Sequence, residues 1–185
     1  MNAANIQQAL ALGWQLLQTG NTAGADEMVR PWIALGFKDD TAPLLGAIRL
    51  QQGRFAEAAE LFERVRRLHP QQGRLAFLHG MALSGINRFA EAAAAFQAAI
   101  KQDPNATDAY LGLARAQRKL GQNDEAQNSY RKLLRLMPHN VEAYIGLSSA
   151  LAEAGHARED RRQIRDACGS HRKRVCSASD HIGKA

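Results

Sequence analysis

Apolar and polar residues alternate along the chain with the period of a helix that buries one face. Over residues 56–68 the apolar positions are three or four residues apart, at Ala58, Leu61, Phe62, Val65 and Leu68. This spacing is typical of an amphipathic helix whose opposite face is charged. A second helix is predicted over residues 41–52, and Gly53 with Arg54 forms the break between the two.

The same pattern returns every 34 residues, a spacing marked by Pro70, Pro104 and Pro138. Aligned at this period, the residues fall into columns of similar size: Leu45, His79, Leu113 and Leu147; Gly46, Gly80, Ala114 and Ser148; Ala58, Ala92 and Ala126; Phe62, Phe96 and Tyr130. A recurring unit of this length predicts stacked helix pairs, because one pair alone cannot bury its apolar face.

The recurring residues resemble the tetratricopeptide repeat (TPR) family. The unit at residues 107–140 matches best, through Tyr110, Leu113, Gly121, Ala126, Tyr130, Leu133 and Pro138. The unit before it departs from the family pattern at His79, where Leu is usual, and at Ala76, where a bulky residue is usual. The resemblance covers residues 6–155. It implies an all-α fold, a right-handed α-solenoid of stacked antiparallel helix pairs.

Four kinds of segment are expected along the chain. Residues 3–38 form a degenerate first helix pair, and residues 39–155 form repeats at 39–72, 73–106 and 107–140 with the start of a fourth at 141–168. Residues 156–168 form a charged capping helix, and residues 169–185 a basic disordered tail. The loss of the pattern after Gly155 suggests the front part of a longer protein or an altered reading frame at the end.

Three local details of the helices follow from single residues. Pro31 falls inside the second helix of the first pair, so this helix is expected to bend or restart there. Asn105 or Thr107 is expected to cap the helix that follows Pro104, and Asn140 the helix of the fourth unit.

The basic excess of the chain lies mostly in its tail. Residues 156–185 carry 8 of the 24 Lys and Arg residues but only 4 of the 18 Asp and Glu residues. Any nucleic-acid affinity is therefore expected to come from the tail and to be insensitive to base sequence. No apolar run reaches the ~18 residues of a membrane span, and the start lacks the features of a secretory leader. We expect a cytoplasmic protein.

The TPR resemblance implies that the first helix of each pair lines a concave inner wall. Phe77, Met81, Leu111 and Ile145 would form an apolar strip there, suited to a peptide or amphipathic helix of another protein. Arg115 and Arg118 would add a basic spot for a carboxylate or phosphate group. Two alternatives stay open: the apolar side chains could pack between repeats, and the arginines could simply be solvated.

Some TPR domains grip the acidic C-termini of chaperones with a carboxylate clamp of Lys, Arg and Asn side chains. At the corresponding places this chain has Pro43, Ala47, Leu78, Asp108 and Gly112. The resemblance therefore does not extend to chaperone tails.

The tail contains Cys168, His171, Cys176 and His181, residue types that bind zinc. Their spacing resembles a zinc knuckle, but their order does not, since a knuckle reads Cys, Cys, His, Cys. We expect no metal at these residues, which are then ordinary cysteines and histidines. Both cysteines lie outside the repeats, so no disulfide framework is expected for the fold.

The sequence lacks a glycine-rich phosphate loop, a nucleophile motif and paired carboxylates on an apolar wall. His79 stands in a core column, where a packing role is expected rather than a catalytic one. The first hypothesis is thus a noncatalytic scaffold without a cofactor that binds another protein. The alternative is the N-terminal TPR portion of a larger bacterial enzyme, such as a sulfotransferase or glycosyltransferase. A third hypothesis, nucleic-acid binding through the tail, requires that deleting residues 169–185 abolish retention on a polyanion column.

Overall fold

The computed structural model describes residues 3–36, 38–69 and 71–154. This part of the chain is helical throughout, apart from short connections. Its helices are α1 (Ala3–Gln18), α2 (Thr22–Ala34), α3 (Lys38–Gln51), α4 (Phe55–Leu68), α5 (Gly73–Gly85), α6 (Phe89–Gln102), α7 (Thr107–Lys119), α8 (Asn123–Leu136) and α9 (Val141–Glu153). The predicted all-α solenoid of stacked helix pairs is confirmed.

Each helix packs on the helix before it and the helix after it. The first helices of successive pairs also contact one another, so that α1 meets α3, α3 meets α5, α5 meets α7, and α7 meets α9. Within the described residues no such contact joins the second helices α2, α4, α6 and α8. The stack therefore curves with its first helices on the inner side.

The turn inside each pair needs a residue in the left-handed region of backbone space. Gly53 and Gly121 occupy this place with φ angles of 73° and 75°. In the helix pair between them, Asn87 occupies the equivalent position and takes the same conformation, with a φ angle of 60°. Asparagine tolerates this region better than other residues with a side chain, so the turn keeps its geometry without glycine.

The aligned columns form the core. Phe62, Phe96 and Tyr130 are at most 2% exposed, and the alanines of the neighbouring column are fully buried. Each aromatic ring packs where a first helix has a glycine: a Cβ atom built on Gly46 would lie 2.9 Å from the ring of Phe62. The aromatic rings thus require glycine on the first helices that they face.

The first pair is joined to the second through a buried carboxylate. Asp26 on α2 is 6% exposed, and its Oδ2 accepts hydrogen bonds from Nε and Nη2 of Arg30 at 2.8 and 2.7 Å. Its Oδ1 accepts a hydrogen bond at 3.1 Å from Nη1 of Arg49 on α3. Two cations therefore compensate this carboxylate, and one of them crosses to the next pair.

The cap predicted after Pro104 was wrong, and the cap predicted for α9 is confirmed. Helix α2 continues through Pro31 without a restart, because Pro31 and Glu27, whose carbonyl loses its helical partner, are exposed to water. The bend that was predicted there as the alternative stays a prediction. Ala106 occupies the cap position of α7, where neither Asn105 nor Thr107 provides a capping bond; Asp103 Oδ1 instead accepts from the Asn105 amide. Asn140 caps α9 as predicted, accepting from the amide of Ala143.

The predictions for the end of the chain concern residues outside the described part. These are the charged capping helix at 156–168, the basic disordered tail at 169–185, and the four residues considered for zinc: Cys168, His171, Cys176 and His181.

Among the helices described above, none has the length and apolar character that crossing a membrane requires.

Candidate partner-binding groove

A groove of about 800 Å³ opens between α5 and α7, and the first residues of α4 and α6 close one side of it. Its apolar walls consist of Phe55, Phe77, Met81, Phe89, Phe96 and Leu111. Its polar lining includes Asp108, Arg115, Arg118 and Lys119. We call this surface the α5–α7 groove.

The repeat itself places these side chains next to one another. Phe77 and Met81 lie one helical turn apart on α5 and therefore share a face. Leu111 and Arg115 occupy the corresponding positions of α7, one repeat later. Since α5 and α7 pack side by side, the four side chains meet across the groove.

The floor of the groove is the ring of Phe96, which is 2% exposed. This ring lies between two glycines: a Cβ atom on Gly80 of α5 would be 2.7 Å from it, and one on Gly112 of α7 would be 2.6 Å from it. Phe77 packs on the same ring, with the two ring centroids 5.9 Å apart and the planes tilted by 51°. The aromatic floor therefore holds both helices and one wall residue in place.

The two groove arginines are paired with acidic residues of α9. Arg115 forms an ion pair with Glu142, and Nε of Arg118 lies 3.7 Å from Oε1 of Glu153. These pairs are partly exposed, so they contribute little to stability. They do reduce the positive charge of the groove, and an incoming carboxylate would have to compete with Glu142 and Glu153.

The structure brings together most of the residues that the sequence suggested for partner binding. Phe77, Met81, Leu111, Arg115 and Arg118 all line the α5–α7 groove. Met81 is 40% exposed there. Ile145 does not line this groove; it lies on α9 with 63% of its surface exposed. The role of all six residues in binding stays a prediction.

Sequence reasoning missed three aromatic residues of the groove. Phe55 and Phe89 begin the second helices α4 and α6, and Phe96 was assigned only to the core. The interval of 34 residues between Phe55 and Phe89 could have identified both, since an aromatic residue that recurs at a helix start occupies the same place in each pair. Phe55 packs over Gly85, whose added Cβ would lie 2.3 Å from its ring.

A tetratricopeptide repeat family model matches residues 44–107 and 111–169, and a second one matches residues 87–129. The chain belongs to the tetratricopeptide repeat family. The TPR assignment made from the spacing of prolines, glycines and aromatic residues is thereby confirmed. A comparison with curated proteins finds no match.

Several solved TPR structures share the fold. A crystal structure of MamA has a TM-score of 0.81 at 20% identity, covering 94% of this chain and 96% of MamA. The second TPR domain of human RPAP3, solved with an HSP70 peptide, has a TM-score of 0.58 at 23% identity and covers 62% of this chain and 96% of that domain. The first TPR of Spaghetti (RPAP3), bound to an HSP90 peptide, has a TM-score of 0.60 at 24% identity, covering 64% of this chain and 94% of that one.

Proposed function

We propose that this TPR protein is a noncatalytic scaffold that binds a peptide or an amphipathic helix of another protein in the α5–α7 groove. The observation that carries the proposal is the convergence of Phe77, Met81 and Leu111 on one open apolar surface. Apolar side chains spaced along a groove are a common receptor for helices and extended segments.

The shape of the groove favours a ligand with an apolar face rather than a small polar substrate. Six apolar side chains form its walls and floor, while its charged residues all lie on α7. An aromatic or branched aliphatic side chain of the partner would enter between Phe77 and Leu111. Buried anchors of this kind supply most of the binding energy in protein interfaces.

The charged residues of α7 add selectivity for the polar part of the ligand. Arg115 is 56% exposed and Lys119 is exposed as well, so both remain accessible beside the apolar wall. A partner carboxylate that displaces Glu142 from Arg115 would exchange one ion pair for another, with a small net gain. Specificity for the partner would therefore come from the apolar anchors, and charge would set its direction in the groove.

The RPAP3 TPR domains support this proposal by analogy of fold, since they were solved with HSP70 and HSP90 peptides. The present chain has Leu78, Asp108 and Gly112 at places where a carboxylate clamp would need basic or amide side chains. We therefore propose a partner other than a chaperone tail.

The proposal is tested by affinity capture followed by quantitative mass spectrometry. The double variant Phe77→Glu and Arg115→Glu is expected to lose specific partners by at least tenfold, because it places charge on the apolar wall and reverses one charge of the polar lining. Met81→Glu is a second variant that spares the core, since Met81 is 40% exposed.

The matched control places the same types of charge on the outer helices, as Leu68→Glu and Arg135→Glu. Leu68 is 53% exposed on α4 and Arg135 is exposed on α8. Circular dichroism establishes that every variant is folded. Capture of the same partners in equal amount by folded groove variants and the control would show that the groove is not the binding surface.

A further inference from the structure

A second cavity, of about 400 Å³, lies between the outer helices α4 and α6 and reaches α5 from the side away from the groove. Its α5 residue His79 is two positions from both Phe77 and Met81, which corresponds to about 200° around a helix. The charged and titratable residues that line it are Glu63, Arg66 and Arg67 of α4, His79 of α5, and Arg88 and Glu91 at the start of α6. We call it the His79 cavity.

The centre of this cavity is a hydrogen bond between two basic side chains. Nη1 of Arg66 lies 2.8 Å from Nδ1 of His79. Since arginine can only donate, Nδ1 must accept, and the imidazole is neutral. Burial, followed by the positive charge of Arg66, lowers the pKa of His79 from 6.5 to about 4. His79 is 6% exposed, so the prediction of a buried packing histidine rather than a base agrees with its surroundings.

This polar pair replaces an apolar pair of the repeat. One repeat later the corresponding residues are Ile100 and Leu113, and two repeats later they are Leu134 and Leu147. Burying polar groups in place of aliphatic ones costs desolvation free energy, and packing contacts alone do not compensate for this cost. A local break in an otherwise apolar column is the kind of inconsistency found at functional sites.

The charges of the cavity do not cancel. Arg67 donates to Oε1 of Glu63 at 2.6 Å, and Nε of Arg88 donates to Oε1 of Glu91 at 2.6 Å. Arg66 has no carboxylate partner among the residues that the structure describes. It uses one of its five N–H donors on a neutral ring. The cavity therefore carries one uncompensated cation with unused donors.

We infer that the His79 cavity binds a phosphate-type oxyanion, with Arg66 as its principal ligand. A guanidinium group matches the several acceptor oxygens of such an anion with parallel hydrogen bonds. The two neighbouring ion pairs hold Arg67 and Arg88 at the cavity and leave them available as additional donors. This site is independent of the groove, because the two surfaces lie on opposite sides of α5.

The test is a titration with inorganic phosphate at neutral pH, followed by the NMR signals of the His79 ring and the arginine side chains. The wild type is expected to show saturable shifts, and Arg66→Gln to bind about tenfold more weakly, since hydrogen bonds between charged groups are lost. Arg135→Gln is the matched control, because it removes the same charge from an exposed place on α8. Its titration should equal that of the wild type.

The double variant Arg66→Ile and His79→Leu separates binding from folding. It introduces the isoleucine and leucine that the next repeat has at these two positions. The variant is therefore expected to be folded and to show no saturable response to phosphate. Shifts that stay linear in phosphate, or that are equally large in Arg66→Gln, would overturn the inference. A parallel titration with O-phosphoserine identifies the source: tighter binding than phosphate indicates a phosphorylated side chain, and weaker binding indicates the free ion.

The neutral imidazole also makes stability depend on pH. The pKa of His79 is about 4 in the folded protein, below its ordinary value of 6.5, with Arg66 and Arg88 opposing protonation and Glu63 and Glu91 favouring it. The unfolded chain therefore binds more protons between these values, and the stabilisation present above pH 6.5 is lost as the pH falls towards 4. Arg67, which also lines the cavity, lowers the pKa of Glu63 through its hydrogen bond and its charge.

Melting temperatures measured from pH 7 to pH 4.5 check this dependence. The wild type is expected to lose more stability over this range than the double variant Arg66→Ile and His79→Leu, in which no histidine titrates at this place. Parallel curves for the two proteins would show that His79 is not held neutral by the fold.

Discussion

Replacing Phe96 by alanine is expected to lower the free energy of unfolding by about 3–5 kcal/mol, the cost of truncating a fully buried aromatic residue. The ring is 2% exposed and lies against Gly80 and Gly112, so its loss leaves a cavity between α5 and α7. Urea unfolding followed by circular dichroism measures the effect. Because Phe77 rests on the same ring, this variant should also lose groove ligands.

Phe89→Ala is the control for this prediction. It makes the same chemical change on the same helix, but Phe89 is only half-buried at the start of α6. Its cost should stay below about 2 kcal/mol, because less apolar surface is removed from contact. Equal losses for Phe89→Ala and Phe96→Ala would mean that the Phe96 ring does not join the two repeats.

The substitution Asp26→Ala is expected to destabilise the fold by about 3 kcal/mol, since breaking this buried ion pair leaves Arg49 with only the longer ion-pair contact of 3.6 Å to Glu57. Asp26 accepts hydrogen bonds from Arg30 and Arg49, and the side chain of Arg49 is only 17% exposed. The effect should be largest for α1 and α2, because this contact crosses from α2 to α3. Hydrogen exchange of the amides in these helices measures it directly.

Arg30→Ala tests whether the cross-pair contact is the important one. The side chain of Arg30 is 72% exposed, so its removal should cost less than about 1 kcal/mol. If Arg30→Ala opens α1 and α2 as much as Asp26→Ala does, then the bond to Arg49 is not what fastens the first pair to the stack.

Much of the fold could be predicted because the sequence pattern repeats at a fixed interval. Alanine, glycine and aromatic residues return at intervals of 34, and each aromatic ring packs against glycine, such as Gly46 beneath Phe62. Helix ends were harder to predict. Two helices begin before their predicted starts: α3 at Lys38 instead of residue 41, and α4 at Phe55 instead of residue 56. Propensity alone does not resolve such differences.

The groove was predicted in part, for a physical reason. Positions on a first helix follow from the repeat, which is why Phe77, Met81 and Leu111 could be placed together. The pairing of Arg115 with Glu142 could not be found this way, because it joins two units through side chains that do not recur. Phe55 and Phe89 were missed because they belong to the second helices and reach the groove only around the turn.

Among the described helices, first helices contact first helices of the neighbouring pairs whereas second helices do not contact one another, and this arrangement has a mechanical consequence. Tension applied to the two ends can be taken up by small rotations at every layer, since each layer meets only its immediate neighbours. The protein should therefore extend elastically before any helix pair unfolds. A ligand bound between α5 and α7 would make the middle helix pairs more rigid and leave the terminal pairs deformable.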